Sequence, residues 1–109
     1  MRPILFASIL AASALHHSAA PAGPIDEGRN IALRLCAPCH GIGAAERSPN
    51  AAAPAFRHLE ARGALDDLSK RLTEGILAGH PDMPVFKLTE NEARSLVIYL
   101  RSIQRDRPH

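Results

Sequence analysis

The two cysteines of this chain lie in the hexapeptide Cys-Ala-Pro-Cys-His-Gly, residues 36–41, with His40 directly behind the second. Cysteines at this spacing form a redox dithiol, half of a zinc site, a small structural disulfide or the anchor of a covalent haem. A thioredoxin-like pair opens a helix that follows a strand within a βαβ pattern, whereas a helical pattern precedes Cys36. A tetrahedral zinc site needs two further ligands at short spacing. Beyond the leader described below and the motif itself, His58, His80 and His109 are scattered along the chain. A plain disulfide would close a very small loop and leave His40 without a role. Cys-x-x-Cys-His is the spacing of c-type haem attachment: each thiol adds to one vinyl group of the porphyrin, and the next residue brings an imidazole to the iron. Haem c, held through Cys36 and Cys39 with His40 as first axial ligand, is the chemistry this stretch predicts.

An electron-carrying haem iron takes a second axial ligand. Of the two methionines, Met1 and Met83, the second lies in Gly-His-Pro-Asp-Met-Pro-Val-Phe, residues 79–86, between Pro81 and Pro84, which stiffen the segment. A lone methionine ordinarily fills a gap in the core, but such fillers sit on helix stripes rather than in proline-bracketed loops. Met83 is therefore the expected ligand. His80 in the same loop is the competitor and would give a bis-histidine iron of lower potential.

These groups need a scaffold, and the chain supplies a small one. Met1-Arg2 is a short positive head, Ile4 to Leu15 is an apolar run, and the small residues Ser18, Ala19, Ala20 and Ala22 follow. That order predicts a secretory signal peptide over residues 1–22, cleaved after Ala20 or Ala22. The run falls short of the ~20 apolar residues of a membrane span and ends at His16-His17. An exported, periplasmic domain over residues 23–109 remains, without a membrane span once the leader is removed. Its aromatics are Phe56, Phe86 and Tyr99, and tryptophan is absent. Small exported domains offset a thin core with disulfides, metals or cofactors, and a large flat apolar cofactor suits a chain this rich in alanine and leucine.

The net charge is +2, or near +1 once Arg2 leaves with the leader. Acidic and basic residues are interleaved, with no basic stripe for nucleic acid. Three helices are expected. Ile25 to about Cys36 carries Asp26 and Glu27 in its first turn, where the helix dipole favours acids. From Leu65 to Leu77, Leu65, Leu68, Leu72 and Ile76 mark one helix face, with Gly79 and Pro81 as the stop. Thr89-Glu90-Asn91-Glu92 is a capping box, and Ala93, Leu96, Val97, Leu100 and Ile103 form the stripe behind it. Between the first two helices, residues 47–56 are too rich in Pro, Ala and Asn for regular structure, and Phe56 to Arg62 holds a short helical turn. No alternating strand pattern appears. The fold expected is a small all-α domain of three main helices wrapped around one haem.

Cys36–Gly41, Ala53–Phe56, His80–Phe86 and Leu96–Leu100 together resemble a class I c-type cytochrome of the short bacterial kind, over Gly28 to about Ile103. The resemblance implies thioethers at Cys36 and Cys39 and axial ligation by His40 and Met83. It also implies that the carbonyl of Pro54 accepts a hydrogen bond from the iron-bound histidine. Gly28 matches the small residue at which the first and last helices cross, with Tyr99 packing nearby. Many relatives carry an aromatic four residues after that glycine; here Ala32 stands, which predicts a less tightly filled crossing. Phe56 and Phe86 are expected to pack in the haem pocket.

Electron transfer follows: iron with both axial positions filled by protein cycles between ferric and ferrous without binding substrate, so the chain is expected to be no enzyme. It would serve as a monomeric soluble carrier or the small electron-transfer subunit of a dehydrogenase, meeting redox proteins through transient interfaces. The alternative is a ligand-binding or peroxidatic haem protein with a labile sixth ligand. A third possibility is a disulfide-bonded interaction domain without haem.

Overall fold

The computed structural model describes residues 1–16, 23–75 and 82–105. Residues 1–16 carry no secondary structure, and Ile4, Leu5, Phe6, Ile9 and Leu10 are exposed. From Gly23 onward the chain packs into an all-α body, and among the described residues no strand occurs.

Helix α1 spans Pro24–Leu35. Pro24, whose missing N–H costs nothing in a first turn, opens it, and Asp26 and Glu27 sit at its positive end. Gly28, Ile31 and Ala32 form its buried face, the three- and four-residue spacing of a helix stripe. Helix α3 spans Glu90–Ser102 and starts on the expected capping box. Thr89 Oγ1 accepts from the Glu92 N–H at 3.2 Å, and Glu92 Oε2 accepts from the Thr89 N–H at 2.9 Å.

α1 and α3 cross at Gly28. A Cβ there would lie 2.7 Å from the Tyr99 Cβ and closer still to the Ser95 carbonyl oxygen. Glycine thus brings the two backbones together, and Ser95 Oγ donates across the crossing to Glu27 Oε2 at 3.1 Å. Ala32 and Ala93, both with no exposed surface, belong to the same core. At the crossing expected to be less tightly filled, Ala32 keeps no exposed surface. Tyr99 is buried and donates its hydroxyl to the Ile42 carbonyl at 2.5 Å, fastening α3 to the segment behind the cysteine motif.

The middle helix departs from expectation. α2 spans only Leu68–Glu74, against the expected Leu65–Leu77. Leu65 keeps its place in the apolar pattern and is 2 % exposed, but it sits in a turn before the helix, with Leu68 N–H donating to its carbonyl at 3.3 Å. Gly75 ends α2 with φ 76°, the left-handed C-cap that glycine takes at least cost. The expected stop at Gly79 and Pro81, together with Ile76 and Leu77, lies outside the described residues. After the loop the chain returns to α2, where the Leu88 N–H donates to the Leu72 carbonyl at 2.9 Å. The turn expected near Phe56–Arg62 is a 3₁₀ helix at Phe56–His58, extended by a further turn bond from Arg62 N–H to the Leu59 carbonyl at 3.2 Å.

Candidate haem site

The motif leaves the end of α1 as a continuing turn. Cys36 N–H donates to Ala32 O, Cys39 N–H to Cys36 O at 3.1 Å, and His40 N–H to Cys36 O at 2.8 Å. Helical spacing therefore carries both cysteines and His40 off one helix end. Both thiols are free; Cys36 is buried and Cys39 exposed. Burial pushes the Cys36 thiol up to about 11, so it stays protonated at neutral pH.

His40 Nδ1 lies 2.8 Å from the Pro54 carbonyl oxygen. A carbonyl only accepts, so Nδ1 carries the proton and the lone pair is left on Nε2. The Phe56 ring packs against the imidazole, centroids 4.8 Å apart and planes tilted by 36°. The loop between them is pinned at its ends, because the Phe56 N–H donates to the Gly41 carbonyl at 2.8 Å. Within it, the Gly41 N–H donates to Ser48 Oγ and the Asn50 N–H to the Cys39 carbonyl, at 3.0 and 3.1 Å. Gly41 is needed as glycine: a Cβ would strike the Glu46 carbonyl oxygen.

Two adjoining cavities open on this framework. Both are lined by Leu35, Cys36, His40, Met83 and Phe86. Pro54 and Phe56 border one of them and Cys39 the other. The floor of the cavity beside Pro54 is apolar, with Leu59, Leu72, Leu96 and Leu100 drawn from the 3₁₀ segment, α2 and α3. Every candidate site residue of the sequence, Cys36, Cys39, His40, Pro54 and Met83, thus borders one of two connected cavities. The competitor His80 lies outside the described residues.

The donor set suits a haem: two thiols at vinyl spacing, an imidazole with a free Nε2 and a thioether, around space too large and too apolar for a bare ion. Among the described residues, no three His, Cys, Asp or Glu side chains group to hold a metal ion. Gln104 and Arg71 escaped the sequence reading. Neither lies in a motif, and only the folded chain brings Gln104 to the Phe56 turn and Arg71 to the cavity.

An all-α body whose helices enclose an apolar cavity rimmed by Cys-x-x-Cys-His is the frame of a covalent-haem electron carrier. Similarity to known proteins points the same way. The family model described as cytochrome c oxidase, cbb3-type, subunit III matches residues 23–100. Cytochrome c-552 of Bradyrhizobium diazoefficiens is 32% identical over 104 residues, covering 95% of each chain. No solved structure matches the chain significantly. The chain belongs to the class I c-type cytochromes. Its class is that of electron carriers rather than enzymes, and covalently bound haem c is the cofactor of that class. Among the described residues no helix is long and apolar enough to cross a membrane.

Proposed function

We propose that the chain is an exported monohaem electron carrier with histidine–methionine ligation. The observation that carries this reading is the shared lining of the cavities by Cys36, His40 and Met83, with the His40 ring tied through Nδ1 to Pro54. Cys36 and Cys39 hold the haem through thioethers. His40 would hold the iron through Nε2 and Met83 through its sulfur. Haem c bound there supplies an iron that takes up and releases one electron. The Pro54 carbonyl keeps the imidazole ring in one orientation and raises its basicity as a ligand. Phe56, Phe86 and the leucine floor exclude water, which disfavours added charge at the centre. Arg71 is the only lysine or arginine lining either cavity among the described residues, and its guanidinium is the group suited to a haem carboxylate. With both axial positions taken by His40 and Met83, no position is left for oxygen or peroxide.

Residues 1–22 act as a leader that directs the chain to the periplasm. The exposed apolar residues Ile4, Leu5, Phe6, Ile9 and Leu10 support this, since the folded body makes no use of them as core. The mature chain works as a monomer, either free or as the electron-transfer subunit of a dehydrogenase, and near-zero charge gives its redox partners only modest electrostatic steering.

The oxidised absorption spectrum of the purified holoprotein tests the ligation. A low-spin spectrum with a methionine–iron charge-transfer band near the red edge of the visible is expected. A high-spin spectrum with ready binding of cyanide or carbon monoxide would instead indicate a ligand-binding or peroxidatic protein.

A further inference from the structure

The carboxamide of Gln104, just beyond the C-terminal end of α3, meets the start of the 3₁₀ segment at Phe56 and the turn that follows it at Glu60. Its Nε2 donates to the Phe56 carbonyl at 2.6 Å and to the Leu100 carbonyl at 2.7 Å, and its Oε1 accepts from the Glu60 N–H at 2.9 Å. The next residue adds a backbone bond, from the Arg105 N–H to the Arg57 carbonyl at 3.1 Å. One amide thus joins the last turn of α3 to both ends of Phe56–Glu60, using both Nε2 hydrogens and the oxygen. The other side of that segment faces His40. Phe56 packs on the imidazole, its N–H holds the carbonyl of Gly41, and Pro54, two residues earlier, accepts from Nδ1.

We propose that Gln104 is a positioning residue for His40. It fixes the Phe56 turn to α3, and the turn in turn holds the Pro54 carbonyl and the Phe56 ring against the imidazole. This rests on His40 being an iron ligand. Gln104 adds a side-chain tie between the α3 end and the ligand-bearing loop, beside those of Tyr99 and Arg105: motion of the α3 end is passed to the ring that ligates the iron. A hydrogen bond to the distal nitrogen of a ligating histidine raises its basicity. Loosening the turn therefore weakens donation to ferric iron and raises the midpoint potential.

The test uses holoprotein carrying Gln104→Met, which keeps the side-chain bulk and removes every hydrogen bond, and Gln104→Glu, which keeps the acceptor for the Glu60 N–H but turns the donor into a second acceptor. Arg101→Gln is the control. Arg101 bridges the carboxylates of Glu60 at 3.4 Å and Asp66 at 3.3 Å on the same flank. Proton NMR of the ferrous form follows exchange of the His40 Nδ1 proton, and a redox titration gives the midpoint potential. Both Gln104 variants should exchange that proton about ten-fold faster, the change expected from releasing one ordinary hydrogen bond, and should have a raised potential. Arg101→Gln should change neither. Exchange and potential unchanged in both Gln104 variants, with only a lowered melting temperature, would reduce Gln104 to a structural staple and overturn the proposal. Should Gln104→Met yield no holoprotein, Gln104→Glu decides by the same two readouts. Absence of an iron-shifted His40 imidazole signal in the ferric wild-type protein would overturn the ligand assignment instead, independently of the Gln104 variants.

Discussion

His40 and Pro54 lie fourteen residues apart in the chain, and the imidazole Nδ1–H of one donates to the carbonyl of the other at 2.8 Å. That bond keeps the proton on Nδ1 and leaves the lone pair on Nε2. The histidine ring also carries the packing of Phe56, so its removal should cost more than a ligand. His40→Ala is expected to leave little mature holoprotein, as judged by haem staining of denaturing gels. Normal yields of low-spin protein would mean that another residue ligates.

Met83 is half-buried and borders both cavities. Met83→Ala leaves Cys36 and Cys39 to hold the haem, so colour should persist. The midpoint potential should fall, because thioether sulfur favours the ferrous state, and the reduced protein should bind carbon monoxide. His80→Ala should keep the spectrum and move the potential only slightly. Collapse of the low-spin spectrum in His80→Ala, with Met83→Ala unchanged, would make the iron bis-histidine.

The apolar floor of Leu59, Leu72, Leu96 and Leu100 borders the cavity beside Pro54 and Phe56. Without a covalent haem that surface has nothing to pack on. The double variant Cys36→Ser, Cys39→Ser should lose covalent haem and be largely unfolded by far-ultraviolet circular dichroism. Native helicity with a cooperative melt would show that the haem is no part of the core.

At the α1–α3 crossing two effects oppose one another in Gly28→Ala. Helix propensity favours alanine by ~1 kcal/mol, but the new Cβ would run into the backbone of Ser95, which has no flexible end to move aside. Overpacking of this kind costs ~1–3 kcal/mol, and backbone rather than side chain in the way puts it at the upper end. A fall in melting temperature is expected. A variant as stable as the wild type would mean that the helices slide apart freely.

Tyr99→Phe leaves the buried Ile42 carbonyl without its donor, a loss of about 1–3 kcal/mol. The difference from wild type should shrink in alkali. Burial, with smaller contributions from Arg29 and Glu46 of opposite sign, raises the Tyr99 phenol above its ordinary 10.0. Above that pH the unfolded chain sheds the phenolic proton while the folded chain keeps it. The unfolded state then binds fewer protons, and wild-type stability falls as pH rises. Thermal melts of holoprotein between pH 8 and 11 check this; a constant gap across that range would contradict it.

The local chemistry was legible from the sequence because it is written at short range. Cys36, Cys39 and His40 declare themselves by spacing, Thr89 and Glu92 by the reciprocal cap, and Asp26 and Glu27 by their place in a first helical turn. The all-α class followed from the leucine and alanine stripes. The length of α2 was misjudged because Leu65 obeys helical periodicity from within a turn, while Gly75 stops the helix through a backbone conformation that side-chain patterns do not record. Gln104 and Arg71 were invisible for a different reason. Their roles depend on partners that are far away in the chain or on a shared cavity, and nothing within a helical turn of either one announces them. Sequence alone determined which groups could meet a haem, since covalent spacing and local hydrogen bonding act over a few residues. Tertiary structure decided which imidazole nitrogen is free and what holds the ring still, because those depend on surfaces that only folding brings together.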